Sequence, residues 1–422
     1  VPPPQLTAAD QRCFLRPMEK TQENNKLPLE GLRVLDLATF VASPFSAAIL
    51  GEFGAEVIKI EQPGGGDPLR KFGTPSQNGD GYCWLSEQRN KRSVTLDLRK
   101  PAGADIFKRL VESADVLCEN FRPGTLEKWG LGPEVLKAIN PRLVLLRISG
   151  YGQTGPYAER PGFARTAHAF GGLTYLTGEP GGPPLTPGST SLADYISGLY
   201  GALGVLLSLR AREDSGRGQE IDIALYESIF RVLDEMAPLY AATGFVRPRL
   251  GLGTANVCPH GHFECGDGEW VAIACTSDKM WVRMADVLSR PELGTDPRYK
   301  TAADRVANRE DVDGLVSAFT LSMPREALMQ ACVAGDVPIA PVYSIADIFA
   351  DPQYRARETL ITVTDETAGE ITVPNVMPRL SETPGRIDHL GPTLGEANGA
   401  VYGDELGFSE AELAQLKSDG VI

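Results

Sequence analysis

Cysteine is scarce and odd in number: seven residues are scattered through the 422 of the chain. That excludes a disulfide scaffold and fits a reducing compartment, so a cytoplasmic enzyme is expected. Long apolar runs are also missing. The longest, around Ile196 to Leu209, is interrupted by Ser197, Gly198, Gly201, Gly204 and Ser208. It falls short of the roughly 20 residues needed to span a bilayer, so no membrane helix is expected. Positive charge is in deficit, with 41 Lys and Arg against 55 Asp and Glu and a formal net charge of −14. This balance opposes an extended grip on nucleic acid phosphates but leaves room for a local basic pocket holding a small phosphorylated ligand. The stretch Val1 to Lys26 has no apolar h-region and carries Asp10, Arg12, Arg16 and Glu19, so it reads as an arm rather than a signal peptide.

What is present is a globular composition, 42% apolar and 23% charged, and a length that suits two or three domains. The order of elements predicts an α/β fold. Leu32 to Leu37 reads as a strand, Ser43 to Phe53 as a helix with small residues on its packing face, and Ala55 to Ile60 as a second strand. Alternation continues through strand Val94 to Leu98, helix Ala102 to Ser113, strand Val116 to Glu119, helix Leu126 to Ile139 and strand Leu143 to Ile148. A Gly/Pro-rich stretch to Pro187 precedes a long helix near Ala193 to Arg212, then a strand Glu220 to Ala224 and a helix Tyr226 to Ala242. From Gly251 the texture changes to short strands around Phe263 and Trp270 to Ala274, followed by amphipathic helices. The expected organisation is an arm over 1–26, a large domain from 27 to 245, a small domain over 246–335, and a C-terminal part, 336–422, returning to the large one.

The first strand–helix turn, Ala38-Thr39-Phe40-Val41-Ala42-Ser43-Pro44, lacks the glycines of a dinucleotide fingerprint, which argues against NAD although Glu61 ends the second strand. Cys258, His260, His262 and Cys265 fall within eight residues, too close together for the usual pair-and-pair zinc spacing, so a loop leading into a strand is expected there and no metal. Asp194 sits where a Gly/Pro-rich loop meets the long helix. It suits a first-turn aspartate favoured by the helix dipole, and equally a carboxylate nucleophile that the same dipole keeps ionised. His168 has two readings as well, a packed helix residue or a general base.

Taken together, several strings are specific: Leu29-Glu30-Gly31-Leu32-Arg33-Val34-Leu35-Asp36, Gly54 to Glu61 with Gly66-Asp67-Pro68, Asn90-Lys91-Arg92-Ser93, Glu119-Asn120-Phe121-Arg122-Pro123-Gly124, Asn140-Pro141-Arg142-Leu143, Gly152 to Tyr157, and Gly188 to Gly198 with its central Asp194. In this order they closely resemble the class III CoA-transferase family, the formyl-CoA transferase and carnitine-CoA transferase-like enzymes. The resemblance implies a Rossmann-like parallel-sheet large domain, a smaller inserted α+β domain, and an interlocked, ring-like homodimer. It implies that Asp194 is the nucleophile, carrying an aspartyl-CoA thioester, and that Leu96, Leu98, Arg99, Asn120, Phe121 and Lys128 contact coenzyme A. The substrates would be an acyl-CoA thioester and a small carboxylic acid, with no prosthetic group. Backbone N–H groups at Val41 and Ala42 and at Gly251 and Gly253 are the candidates for stabilising the oxyanion of each acyl transfer.

The departures from formyl-CoA transferase fall at Val41, Phe163 and the short Gly251-Leu252-Gly253 segment. The Arg160 to Gly178 texture looks instead like the succinyl-CoA-dependent branch acting on malate, citramalate or mesaconate. Phe163, Arg165 and His168 are then the substrate-side candidates, with Arg165, Arg247 or Arg249 available to fork onto a second carboxylate. Two alternatives have different chemistry. One is an α-methylacyl-CoA racemase, whose His-Asp pair falls where this chain has Ala164. The other is a silent acyl-CoA-binding subunit of a heteromer.

Overall fold

The computed structural model describes residues 26–188 and 190–422, so the arm lies, but for Lys26, outside the described residues. Strands β1 (Arg33–Asp36), β2 (Glu56–Glu61), β3 (Lys91–Thr95), β4 (Val116–Glu119), β5 (Val144–Ser149) and β6 (Glu220–Ala224) form one parallel sheet in the order β3-β2-β1-β4-β5-β6. Apolar residues run along these strands because helices cover both faces, and β5 is buried at every position. Helix α1 (Ala42–Glu52) follows β1, and α2 (Pro101–Glu112) follows β3 with Pro101 at its first position. The strands run outward one way from β1 to β3 and the other way from β4 to β6, so β1 and β4 meet at a topological switch point, at whose carboxyl ends such sheets bind their ligands.

Helix α3 (Ala164–Phe170) leads toward α4 (Leu192–Ser215), and α5 (Leu225–Arg231) follows β6. By length and composition α4 is long and apolar enough to cross a membrane, which the broken apolar run did not lead one to expect, because the helix extends past that run at both ends. Its place is in the packing of the sheet. Ser197, Gly198, Gly201, Ala202, Val205 and Ser208 are buried, and a Cβ at Gly198 would stand 2.7 Å from the Ala42 carbonyl oxygen, so only glycine lets α4 lie this close to α1.

Two of the expected helices are divided. The stretch 126–139 is split into Thr125–Lys128 and Pro133–Ile139 by Gly130, which has φ +72°, and by the Gly132-Pro133 step. The stretch 226–242 breaks between Arg231 and Met236, where Asp234 has φ +42°.

By its internal contacts the chain divides into two units. The first takes the described residues up to Gly171, those from 190 to Val232, and Gln353–Ile422. Its C-terminal part returns to the sheet edge: Ala397 N–H donates to Ser93 O at 2.9 Å, Tyr402 OH to Thr95 O at 3.0 Å, and Asp97 N–H to Val421 O at 2.8 Å. The second unit takes Gly172–Gly188 and Leu233–Pro352. Its boundaries therefore differ from the expected 246–335. Strand β9 (Ile339–Pro341) pairs with β8 (Trp270–Ala274), itself paired with β7 (His260–Glu264), and this antiparallel sheet draws the residues after 335 into the second unit. Within that unit Cys258 and Cys265 are core residues around Trp281, while His262 is exposed. Among the described residues no group of three or more His, Cys, Asp or Glu side chains is placed to hold a metal ion. The first unit also contains the antiparallel hairpin β10 (Leu360–Asp365) and β11 (Gly369–Pro374).

Candidate active site

The carboxyl end of β1 runs into a turn whose backbone is fixed by side chains from elsewhere in the first unit. Ala38 N–H donates to Asp36 Oδ1 at 3.2 Å, and Lys59 Nζ donates to Ala38 O. Asn120, just past β4, accepts from Thr39 N–H at 2.8 Å and donates Nδ2–H to Thr39 O at 2.7 Å. Phe40 N–H donates to Asp67 Oδ1 at 3.1 Å, and Gln88 Nε2 donates to Phe40 O at 3.4 Å. Phe40 sits at φ +61°, a left-handed conformation that costs a non-glycine residue about 1–2 kcal/mol. The next two amides, those of the buried Val41 and Ala42 at the start of α1, donate to no group among the described residues.

Fully buried Lys59 and Lys91 underlie this turn. Lys59 Nζ lies 2.9 Å from Asp67 Oδ2 and 3.6 Å from Asp36 Oδ2; Lys91 Nζ lies 2.8 Å from Asp36 Oδ2 and 2.7 Å from both Pro44 O and Gln88 Oε1. Burial works against the Lys59 charge, but Asp36, Asp67 and Glu61 outweigh it and hold its pKa above the ordinary value; at Lys91 burial prevails and the pKa is lowered. Sequence reasoning missed this network. The signal was visible: a lysine inside the apolar run Val57-Ile58-Lys59-Ile60 has no water to reach and must find carboxylates. Glu61, the acidic strand end, is taken up by Arg70 at 2.7 Å and by the Asp67 N–H at 2.8 Å.

Asp194 lies in the first turn of α4, four residues or about 6 Å of helix before the Gly198 contact with Ala42. The Phe45 and Tyr195 rings meet edge to face at 5.0 Å and tie the same turn to α1. The fold thus brings Asp194 and the unbonded Val41 and Ala42 amides to one end of the α1–α4 contact. The carboxylate is partly buried and has no hydrogen-bond or salt-bridge partner among the described residues; burial alone pushes its pKa up to about 7. Burial thus works against the ionised state that the helix dipole favours, because among the described residues no donor or cation reaches the group to offset its desolvation.

His168, on α3 and buried, accepts the Ala193 N–H on Nε2 at 3.0 Å, which satisfies one of the amides at the start of α4. Burial and then Arg165 lower its pKa, so the neutral ring with its proton on Nδ1 is favoured. This geometry is that of a packed, capping histidine, not of a general base, whose lone pair would have to be free. Phe163 is 65% exposed, and its ring meets Phe40 edge to face at 6.1 Å, which brings the start of α3 to the β1 turn. Arg165 is exposed on α3.

The coenzyme A candidates lie at the carboxyl ends of β3 and β4 but differ in availability. Leu96 and Leu98 are core residues, 3% and 5% exposed, so their side chains offer no ligand surface. Arg99 is mostly exposed and paired with Asp97 at 2.8 Å. Phe121 packs edge to face on Trp129 at 5.2 Å, and its N–H donates to Glu119 Oε2 at 2.7 Å. Lys128 is exposed. In the second unit the Gly251 N–H donates to Gly178 O and the Gly253 N–H to Leu250 O, each at 3.1 Å. Both amides are committed, so the expectation that they serve as oxyanion donors is corrected. Arg247 is engaged by Asp234 and Glu235, each at 2.9 Å, and Arg249 donates to Tyr175 O at 2.9 Å.

The chain is similar to proteins of known activity and structure. The beta and alpha subunits of succinyl-CoA–L-malate CoA-transferase from Chloroflexus aurantiacus are 54% and 51% identical over 398 residues each, covering 94% of this chain and 98% and 93% of the relatives. Succinyl-CoA–D-citramalate CoA-transferase from the same organism is 42% identical over 94% of this chain and 98% of its own length. The crystal structure of a CaiB/BaiF family protein from Brucella suis superposes with a TM-score of 0.79 at 35% identity, covering 90% of this chain and all of that one. The family model for CoA-transferase family III matches residues 29–398, and with it the chain belongs to CoA-transferase family III, enzymes that move coenzyme A between carboxylic acids.

Proposed function

We propose that this CoA-transferase takes coenzyme A from succinyl-CoA, or another dicarboxylyl-CoA, to a carboxylic acid of the malate or citramalate type, through a covalent intermediate on Asp194. One observation carries the mechanism: among the described residues, the desolvated Asp194 carboxylate has no partner, and it lies in the first turn of the helix whose Gly198 packs on Ala42, where the Val41 and Ala42 amides also have none. The ionised carboxylate attacks the donor thioester carbonyl, and the tetrahedral oxyanion collapses to a mixed anhydride and CoA thiolate. The thiolate attacks the aspartyl carbonyl, releasing the donor acid and leaving an aspartyl-CoA thioester; the acceptor acid then reverses both steps. Each step develops an oxyanion that the Val41 and Ala42 amides would receive. No proton need be shuttled, in keeping with a His168 lone pair already engaged by Ala193, and that engagement also disfavours racemase chemistry.

The dicarboxylate assignment rests on the named relatives. Arg165, exposed on α3 two residues past Phe163, is the arginine we assign to the second carboxylate. Arg99 and Lys128 would meet the nucleotide phosphates. A homodimer is the assembly we propose; the relatives named alpha and beta are nearly equally similar, so a sister subunit is the competing arrangement. The cysteines of the described residues form no disulfide, which supports a cytoplasmic setting.

The test pairs trapping with donor choice. Asp194→Ala is expected to abolish transfer while leaving CoA binding nearly unchanged, and hydroxylamine or borohydride should trap a wild-type adduct that mass spectrometry maps to Asp194. An active Asp194→Ala variant overturns the mechanism. Succinyl-CoA is expected to outperform butyryl-CoA by about 10²-fold, a preference that Arg165→Ala narrows; equal use of the two donors overturns the dicarboxylate reading.

A further inference from the structure

Three residues of the β1 turn, Ala38, Thr39 and Phe40, carry six backbone polar atoms, and all six are bonded by side chains: those of Asp36, Lys59, Asn120, Asp67 and Gln88. A surface turn would leave these atoms to water. Here the fully buried Lys59 bonds one of them, and the fully buried Lys91 holds Asp36 and Gln88, which bond two more, although apolar residues of similar volume commonly give equal or greater stability. The left-handed Phe40 persists because the clamp over-determines it. Directly after the clamp come the amides of the buried residues Val41 and Ala42, which have no acceptor among the described residues and gain by meeting one.

We propose that Asn120 is a positioning residue: by holding the Thr39 peptide at both its N–H and its C=O, it sets the direction in which Val41 and Ala42 present their amides to the reacting carbonyl. This rests on the Asp194 reading and deepens it. It also departs from the role that family resemblance gives Asn120, a direct contact with coenzyme A, since the side-chain oxygen and one amide hydrogen are spent on Thr39. A ligand contact acts in the ground state and the transition state alike, whereas a misdirected oxyanion donor is felt only as charge develops.

The two roles separate in steady-state kinetics. Asn120→Ala, which removes both bonds to Thr39, is expected to lower kcat about 10–100-fold while KM for acyl-CoA stays within about threefold. Asn120→Asp keeps the shape and the acceptor for Thr39 N–H but sets a carboxylate oxygen against Thr39 O. It is expected to lose kcat in the same direction and to slow formation of the trapped Asp194 adduct in a single turnover. A rise in KM with kcat unchanged, or no change in either variant, overturns the proposal. Asp194→Ala assayed alongside tells the two failures apart: if it is inactive while the Asn120 variants keep kcat, only the positioning role falls, and if it remains active the mechanism falls first.

Discussion

Asp194 and its surroundings set the pH behaviour. Because the proposed nucleophile, Asp194, must be ionised to attack and its pKa is pushed up to about 7, kcat/KM is expected to fall close to tenfold per pH unit below that value, read from initial rates at low acyl-CoA. Stability runs the other way. The folded-state pKa lies above the ordinary carboxylate value near 3.9, so the folded protein holds this proton more tightly than the unfolded chain does. The cost of the charge is absent below about pH 4, grows between about pH 4 and pH 7, and is constant above. Asp194→Asn removes it and should stabilise the fold at about pH 8 by on the order of 1–3 kcal/mol, seen as a higher Tm, once solvent reaching this partly exposed group is allowed for, with the gain vanishing toward about pH 4. Thermal melts of both proteins at the two pH values check it; an equal shift at both points to packing instead. His168 belongs to the same scale: a histidine in the sequence is either base or filler, and only its bond to Ala193 decides.

At the scale of elements, the α1–α4 contact carries the site. Gly198 admits no side chain without moving the Ala42 carbonyl, so Gly198→Ala pushes the helix of the proposed nucleophile away from α1, whose first amides are the proposed oxyanion donors. The expected result is a loss of about 1–3 kcal/mol in stability, measured by denaturant unfolding, with a fall in kcat at least as large as that of an equally destabilising change in the second unit. Trp281→Phe, in the core of that unit, is the comparison. The strand and helix pattern of the sheet was legible because parallel strands are apolar runs between amphipathic helices. Two helix breaks were not, since Gly130, Asp234 and the Gly132-Pro133 step interrupt otherwise helical periodicity by backbone geometry that hydrophobicity does not report.

For the whole molecule, the outer stripe of α4 is the feature left unexplained by one chain. Leu199, Leu203, Leu206 and Leu207, spaced as one helical face, are between 42% and 61% exposed, and Phe230 and Val232 in the same unit are also about half exposed. A contiguous apolar face of this kind marks a protein–protein surface, and it supports the proposed dimer. Native mass spectrometry at nanomolar concentration is expected to show dimer and no folded monomer, and the chain purified alone is expected to exchange labelled coenzyme A. Activity only after a homologous sister chain is added would replace the homodimer by a heteromer.

The sequence by itself determined the α/β class, the order of the sheet-forming segments, the position of Asp194 at a helix start and, through its motif strings, the family. Those are properties of local periodicity, turn chemistry and residue identity, which a linear chain displays. Tertiary structure decided which groups are free to react. Gly251 and Gly253 lost their amides to backbone carbonyls, Leu96 and Leu98 went to the core, and Asn120 turned to Thr39. It also moved the Asp194 carboxyl to a pKa of about 7, because desolvation depends on what surrounds a carboxylate in space while the helix dipole is fixed by its place along the chain. The buried Lys59 and Lys91 needed both: the sequence placed charges inside apolar strands, and only the parallel pairing of β1, β2 and β3 brought both within reach of Asp36.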